Sequence, residues 1–299
     1  ELVFSEKEQL GDLRSIFVTK SKTLLLSLDI DEPQKAFILA KEIAYNYLEI
    51  TERLYTFSWI KFDNFDQVLN NFYASYFAGA LLIPRQKLID ELSLFLLKTD
   101  PKPQEMIALM SGFNVSPESF YQRLTNILPK DFQLKNLFFL RMSHRVGTDT
   151  YQIKKELHIT NQQEPHANEM NEHYCRRWVS VRTIQESLNQ KKSHFFDAQI
   201  SSYDNSKNEY LVFSSATPDP FKVDCIRSIS VGILITPAVK KKFKFMENDS
   251  VKKQIVGVTC ETCAVKNCLE RASPPIQLEQ KIRNENTDMI VQQYMTKFS

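Results

Sequence analysis

Three of the five cysteines lie close together in the stretch CETCAVKNC, as Cys260, Cys263 and Cys268. A C-x2-C turn directs two thiolates at one point, and a third cysteine shortly afterwards can close another face of the site. Four thiolates in a tetrahedral arrangement hold zinc or an iron–sulfur cluster. We expect Cys175 to supply the fourth ligand from a distant segment. The cysteines therefore predict a metal site that joins a C-terminal loop to the middle of the chain.

The composition excludes several other functions. The net charge of +2 gives no broad electrostatic field for DNA or for a membrane surface. No apolar run approaches the ~20 residues of a membrane-spanning helix, and the N-terminus lacks a signal-peptide pattern. The six glycines are widely spaced, which excludes the usual phosphate loop and dinucleotide fingerprint. Clustered cysteines in odd number indicate a reducing compartment, so we expect a cytoplasmic protein that does not associate with membranes.

The sequence that must position these cysteines falls into two halves, which differ in their predicted secondary structure. The first half predicts a hairpin over Leu13 to Leu28, followed by helices. Capping and periodicity place them from Glu32 to about Tyr55, Phe65 to Leu82, Gln86 to Leu97, and on either side of Gly112, with Ser116 capping the last. The stretch EMIALMSGFNVSPESFYQRL could pass for a helix-turn-helix, but its second helix offers few donors for DNA, and we interpret it as structural.

Beyond Pro129 the sequence becomes rich in β-branched and aromatic residues, in stretches such as LKNLFFLRMS, TYQIKKELHI, EYLVFSSAT and CIRSISVGILIT. These predict strands, and we expect Cys225 in the last of them to be a buried core residue. An amphipathic helix is expected from Pro275 to Tyr294. The fold class predicted is α+β, with one domain over residues 1–130 and a second over residues 131–299.

One helix of the first half resembles a metallopeptidase motif. FILAKEIAYNYL (Phe37 to Leu48) has the frame of F-x-x-A-H-E-x-x-H, in which two histidines bind zinc and the glutamate is the general base. The segment ASYFAGALLIPRQKL resembles the F-A-x-x-L-L-x-P segment of ImmA/IrrE-type peptidases. Lys41 and Tyr45 replace the histidines, and no acidic third ligand precedes the second segment. The resemblance implies a degenerate zincin-like domain without catalysis, and Glu42 alone is no catalytic site.

Four stretches of the chain resemble the sensor region of short-chain acyl-CoA-responsive transcription regulators, of the propionate and acetate catabolism type. The stretches are NVSPESFYQRLTNIL, LFFLRM, CRRW and VGVTCETCAVKNCLERASPP. The resemblance implies a [4Fe–4S] cluster in preference to zinc, on Cys175, Cys260, Cys263 and Cys268. It also implies an acyl-CoA ligand, a homodimer, and DNA binding only through a domain outside this chain. The sequence departs from the family pattern after Cys175, where Arg176 replaces proline.

An acyl-CoA site needs cations for phosphates and an apolar wall. The candidate residues are Arg176, Arg177, Lys240, Lys241 and Lys242 for the phosphates, and Phe139 and Trp178 for the wall. His166 and His173 could replace a cysteine as metal ligand, although neither is assigned. Two alternatives remain: a zinc-stapled protein-interaction module without a small ligand, and an active metallopeptidase, which the missing histidines disfavour.

Overall fold

The computed structural model of the protein describes residues 2–5, 13–53, 64–159, 172–203, 206–220, 222–247 and 251–298. The chain divides into two compact units. The N-terminal unit comprises Glu1–Gln133 with Pro218–Val223, and the C-terminal unit comprises Leu134–Thr217 with Asp224–Ser299. No helix within the described ranges has both the length and the apolar character to cross a membrane.

The N-terminal unit begins with a small sheet of three strands, β1 (Leu2–Ser5), β2 (Ser15–Val18) and β3 (Thr23–Ser27). Their order is β1-β3-β2, with β1 parallel and β2 antiparallel to β3. The predicted hairpin over Leu13 to Leu28 is confirmed. Its tight turn places Lys22 at a positive φ of 51°, and β3 buries Leu24 and Leu26 against Ile38.

Five helices of the N-terminal unit follow: α1 (Glu32–Tyr47), α2 (Phe65–Leu82), α3 (Arg85–Leu96), α4 (Pro103–Ser111) and α5 (Pro117–Asp131). Side-chain caps start three of them, α1, α2 and α5. The Asp31 carboxylate accepts a hydrogen bond from the Gln34 N–H at 2.8 Å, and the Ser116 hydroxyl accepts one from the Ser119 N–H at 3.2 Å. Each cap satisfies one of the N–H groups that a helix start leaves without an intrahelical partner.

Two predicted boundaries differ in the structure. α1 ends at Tyr47, before Tyr55, which lies outside the described residues. The cause is Glu49, whose left-handed φ of 55° stops the helix as a glycine usually would. α5 continues through Pro129 to Asp131, so the helix extends beyond the proline.

The C-terminal unit contains a six-stranded sheet in the order β5-β4-β8-β7-β6-β9. Its strands are β4 (Leu137–Arg145), β5 (Tyr151–His158), β6 (Phe195–Tyr203), β7 (Glu209–Pro218), β8 (Cys225–Leu234) and β9 (Lys252–Val256). The four stretches predicted as strands correspond to β4, β5, β7 and β8, and Cys225 is buried as expected. β6 and β9 pair in parallel and carry no comparable sequence signal.

Helix α6 (Val179–Gln190) covers one face of the six-stranded sheet. Its apolar side joins a core with Phe138, Leu140 and Met142 of β4. Ser180 also forms a 2.8 Å hydrogen bond with Ser230 of β8, so the contact is partly polar. α7 (Pro237–Lys242) and a short 3-10 helix (Lys244–Glu247) follow β8.

The last helix, α8 (Ile276–Phe298), is confirmed in position but does not pack as the amphipathic pattern predicted. Every side chain from Glu279 to Lys297 is exposed, including Ile282 and Tyr294. Its apolar residues therefore contribute to a surface and not to the core of the unit.

Candidate functional site

The backbone brings Cys175 next to the cysteine-rich stretch. Tyr174 and Thr259 form an antiparallel bridge, and the Cys175 N–H donates to the Val258 carbonyl at 3.0 Å. The Cys260 N–H donates to the His173 carbonyl at 2.8 Å. Cys175, Cys260 and Cys263 are buried, Cys268 is partly exposed, and none of the five cysteines, all of which are described, forms a disulfide.

The environment of the Cys175 thiol is apolar and contains other thiols. Burial raises its pKa to about 12, hydrogen bonds to the backbone of Gly257 and Arg177 oppose the rise, and the nearby Cys263 and Cys260 add to it. Cys175 is therefore a neutral thiol at pH 7 unless a cation is bound. A metal ion would have to displace its proton, which couples metal binding to pH.

Arg271 organises the cysteine-rich stretch from within. Its Nη1 donates to the Cys260 carbonyl at 2.9 Å, and its Nη2 donates to the carbonyls of Val265 at 2.6 Å and Cys263 at 3.4 Å. The next backbone N–H, of Ala272, points to the Cys260 sulfur at 3.3 Å. We call residues 257–272 the cysteine loop. One arginine thus donates to three carbonyls of the irregular backbone of this loop.

A buried carboxylate ties the cysteine loop to two other segments. Glu261 is 4% exposed, and its carboxylate accepts hydrogen bonds from the His173 N–H at 3.0 Å and from the His173 ring Nδ1 at 2.8 Å. The Glu261 carbonyl accepts the N–H groups of Gln277 and Leu278 at the start of α8. The loop therefore holds both the segment of Cys175 and the exposed helix α8. His166 lies outside the described residues.

The donor set fits a thiolate-bound metal in type. Cysteine sulfur suits zinc and iron–sulfur clusters, and two separate segments deliver the thiols, which is the usual construction of such sites. Within the described ranges, however, no three His, Cys, Asp or Glu side chains already stand close enough together to hold a metal ion. The thiols must therefore rotate toward one another before four of them can share a metal.

A cavity of about 520 Å³ opens beside the cysteine loop and is lined largely by charged side chains. The basic residues in its lining are Arg176, Arg177, Arg182, Lys252 and Arg271, and the acidic ones are Asp149, Glu186 and Glu270. The wall therefore carries an excess of positive charge. Arg176 and Arg177 directly follow Cys175 in the chain, so the cavity and the thiol share a segment.

Individual arginines of the cavity are held in place by partners. Arg176 is buried and donates to the Asp149 carbonyl at 2.6 Å and carboxylate at 2.9 Å, with its guanidinium 4.5 Å from the Tyr151 ring centre. Arg177 donates from Nη1 to the Ile255 carbonyl at 3.3 Å, while its buried Nε has no partner among the residues that the structure describes. A buried donor without an acceptor is costly, and an anion in the cavity would relieve that cost.

The structure separates the residues predicted for acyl-CoA. Arg176 and Arg177 line the cavity, whereas Lys240, Lys241 and Lys242 are exposed on α7 and do not line it. Trp178 is buried, and its indole N–H donates to the Gly257 carbonyl at 2.8 Å, so it anchors the start of the cysteine loop. Phe139 is buried on β4, where Lys155 Nζ lies 5.7 Å from its ring centre.

The peptidase-like positions of α1 are occupied by other interactions. Lys41, in the place of the first histidine, is buried and donates to the Asn71 side chain of α2 at 2.8 Å. The Glu42 carboxylate is 2.9 Å from Arg53 Nη2 and accepts a hydrogen bond from Asn46 at 3.0 Å. Burial raises the pKa of Glu42, while Arg53 and Asn46 oppose the rise. The Glu42 carboxylate is therefore already engaged by Arg53 and Asn46.

The buried ammonium of Lys41 predicts a stabilising substitution. Burial lowers its pKa from 10.5 to about 8. The unfolded chain binds more protons than the folded one between those values, so stability should rise with pH from about 8 to 10.5. We expect Lys41→Met to raise the free energy of unfolding at pH 7 by about 2 kcal/mol, after the loss of the Asn71 bond. Thermal unfolding at pH 7 and pH 10 would show the gain shrinking at the higher pH.

The exposed turn residue Lys20 provides the matched control, because Lys20→Met removes the same charge without a buried ammonium. It should change stability by less than about 0.5 kcal/mol at either pH. Destabilisation by Lys41→Met at pH 7 would mean that the hydrogen bond to Asn71 outweighs the cost of burying the charge.

Comparison with known proteins supports the N-terminal part of this description. Residues 2–125 match the family model of the IrrE N-terminal-like domain, so the chain contains an IrrE-like N-terminal domain, as its resemblance to ImmA/IrrE-type peptidases predicted. A solved structure of a Mycobacterium tuberculosis transcriptional regulator is similar over 92% of this chain and 78% of that chain, with a TM-score of 0.59 and 16% identity. This likeness shows a shared fold. No curated protein matches the chain.

Several residues of the site were not predicted from sequence. Arg271 lies in ERASPP, at the end of the cysteine motif, so the motif itself could have identified this arginine as part of the site. Arg182 and Lys252 of the cavity come from α6 and β9, and Asn71 and Arg53 contact α1 from outside it. No sequence spacing indicates these neighbours, because the tertiary fold alone brings them together.

Proposed function

We propose that the C-terminal unit is the sensor of a one-component transcription regulator. In this proposal it binds a short-chain acyl-CoA in the basic cavity and holds a [4Fe–4S] cluster on Cys175, Cys260, Cys263 and Cys268. The signal passes, within a cytoplasmic homodimer, to a DNA-binding domain outside this chain. The fold shared with a transcriptional regulator supports the class of function. The finer assignment is supported by one observation: Arg176, Arg177 and Arg271 line the cavity beside the cysteines.

The residues suit this task chemically. The cavity arginines would bind phosphates of coenzyme A, since guanidinium groups pair with phosphate through two parallel hydrogen bonds. A bound cluster would contribute redox-sensitive iron and would fix the loop. Trp178 and Glu261 hold the backbone on which the thiols are carried. Phe139 and Lys240 to Lys242 lie elsewhere in the unit and have no part in the cavity.

Two measurements test the proposal. The first is the iron, sulfide and zinc content, with a visible spectrum, of protein purified without oxygen. About four iron and four sulfide per chain are expected for a cubane cluster. The second is calorimetric titration with acetyl-, propionyl- and butyryl-CoA, which should release heat with at least one of them. Absence of metal and of heat would contradict both parts.

A zinc-stapled interaction module is a second candidate, favoured by the attachment of α8 to the cysteine loop. Because the Glu261 carbonyl accepts N–H groups from the first turn of α8, a metal in the loop would fix the direction of this exposed helix. Its exposed apolar side chains, including Ile282, Met289 and Tyr294, suit contact with another protein. Stoichiometric zinc without sulfide, together with no heat on acyl-CoA titration, would favour this candidate.

Peptidase activity is the weakest candidate, and we propose that the chain is not an enzyme. The Glu42 carboxylate is paired with Arg53, and Lys41 cannot ligate zinc as an ammonium. We expect Glu42→Gln to leave any casein hydrolysis by the purified chain unchanged within about twofold, since a true general base contributes about 10²-fold or more. Hydrolysis that falls more than tenfold on this substitution would establish a peptidase. Glu49→Gln, at an exposed position just beyond the end of the same helix, is the control.

A further inference from the structure

Arg271 belongs to the cavity and to the cysteine loop at once. Its side chain lines the cavity, and its guanidinium donates to three loop carbonyls, those of Cys260, Cys263 and Val265. The other arginines that line the cavity have partners outside the loop. Arg176 donates to the Asp149 carboxylate, Arg177 to the Ile255 carbonyl and Arg182 to the Asp197 carboxylate. Arg271 is therefore the point at which an anion in the cavity can act on the loop.

The hydrogen bonds of Arg271 determine the direction of this effect. A phosphate that binds arginine through two parallel hydrogen bonds uses either Nη1 with Nη2 or Nε with Nη2. Nη2 belongs to both pairs, and its two N–H groups already serve the carbonyls of Val265 and Cys263. Bidentate binding must therefore break at least one of these bonds. The bond to Cys263, at 3.4 Å, is the longer one and the first expected to be lost.

We propose that a phosphate-bearing ligand and an ordered cysteine loop compete for Arg271. The ligand class rests on the proposed function, and the competition goes beyond it. When the ligand enters the cavity, Arg271 turns its Nη2 toward the phosphate, the bond from Nη2 to the Cys263 carbonyl breaks, and the loop from Cys260 to Val265 loosens. By reciprocity, anything that fixes the loop lowers the affinity of the cavity for the ligand by the same factor. Ligand concentration thus regulates how firmly the cysteines are held.

The test is amide hydrogen exchange of the whole chain, followed by mass spectrometry of peptides that cover residues 258–266. Propionyl-CoA and inorganic pyrophosphate are the two probes, and calorimetry on the same samples measures their binding. We expect saturating propionyl-CoA to raise exchange in this segment by about fivefold or more, the lower range of ordinary coupling between sites. Pyrophosphate should act in the same direction if the phosphates alone recruit Arg271.

Arg271→Lys separates the competition from a general effect of the ligand. Lysine keeps the charge, but its single ammonium lacks the planar two-nitrogen fork that reaches these carbonyls, so the segment should exchange fast without ligand and show no further increase with it. Arg283→Lys on α8 is the control, since the Arg283 guanidinium donates, among the described residues, only to the exposed side chain of Gln280. The wild-type comparison with and without ligand remains decisive even if Arg271→Lys is unstable.

The outcomes distinguish the two proposals. Binding that leaves exchange in residues 258–266 unchanged, or lowers it, overturns the competition and leaves the acyl-CoA site standing. No binding of either probe overturns the ligand class and the competition together. An equal increase in the wild type and in Arg271→Lys also overturns the competition, because the effect would then act without the bridging guanidinium.

Discussion

The Cys175→Ala protein, purified without oxygen, is expected to contain less than about a tenth of the iron and sulfide of the wild type, because a cubane cluster needs a ligand at each corner of iron. Cys175 is the one candidate ligand that comes from outside the cysteine loop. Without it, Cys260, Cys263 and Cys268 would have to hold the metal with the loop joined to the Cys175 segment by hydrogen bonds alone. Metal analysis and the visible spectrum measure the loss.

Folding should survive this substitution. The Cys175 thiol is neutral in its buried environment, so alanine removes one sulfur from an apolar core at a cost of about 1 kcal/mol. A metal that binds only the folded state also stabilises the protein, and this stabilisation is lost when the variant no longer binds the metal. The melting temperature of the variant should therefore be close to that of the chelator-treated wild type. The remaining difference should reflect only the loss of one sulfur atom from the core.

Cys225→Ala is the matched control for Cys175→Ala. Both cysteines are buried in the same unit, at 8% and 6% exposure, and both substitutions remove one thiol. Cys225 lies at the start of β8, paired with Arg145 of β4, and is no part of the cysteine loop. It should keep its full metal content. Full metal content in Cys175→Ala, or equal losses in both variants, would contradict the assignment of Cys175 as a ligand.

The elements that the sequence predicted correctly are those with local signals. The cap at Ser116 and the run of apolar and aromatic residues in LFFLRM act within a few residues, and both appear at the expected positions. The end of α1 at Tyr47 escaped prediction, because it depends on Glu49 in a left-handed conformation that carries no glycine signal. α6 and β6 were missed because some of their core positions carry polar residues. Ser180 and Gln199 are buried and satisfied by hydrogen bonds, so they break the apolar pattern that would have predicted these elements.

The cysteines of the candidate site could be predicted from the sequence, but the residues that line the neighbouring cavity could not. Cysteine type and spacing indicated which thiols matter, since metal chemistry restricts the choice. The cavity depends on Arg182 of α6 and Lys252 of β9, which are distant in sequence and meet only through the sheet. Lys240 to Lys242 looked equally suitable by charge. A run of lysines on a short exposed helix has no enclosing wall, and composition cannot show that difference.

Gly232→Ala is expected to destabilise the C-terminal unit by about 3 kcal/mol or more, at or beyond the upper range for overpacked cores. Gly232 of β8 lies opposite Phe138 of β4, and a Cβ atom at Gly232 would stand 2.1 Å from the Phe138 ring. The ring is 1% exposed and packs against Tyr210 at 5.4 Å between centres, so it has little room to move. Denaturant unfolding measures the loss.

Gly79→Ala in α2 is the control with the same chemical change. Apart from its chain neighbours and the backbone of its own helix, no heavy atom of the described residues lies within 4 Å of a Cβ at Gly79. Alanine favours a helix over glycine by about 1 kcal/mol, so this variant should be slightly more stable. A double variant identifies the cause. If the Phe138 ring is the obstacle, Gly232→Ala with Phe138→Leu should lose less than the sum of the two single losses. Additive losses would mean that Gly232 is required for the backbone of β8 and not for the space of one ring.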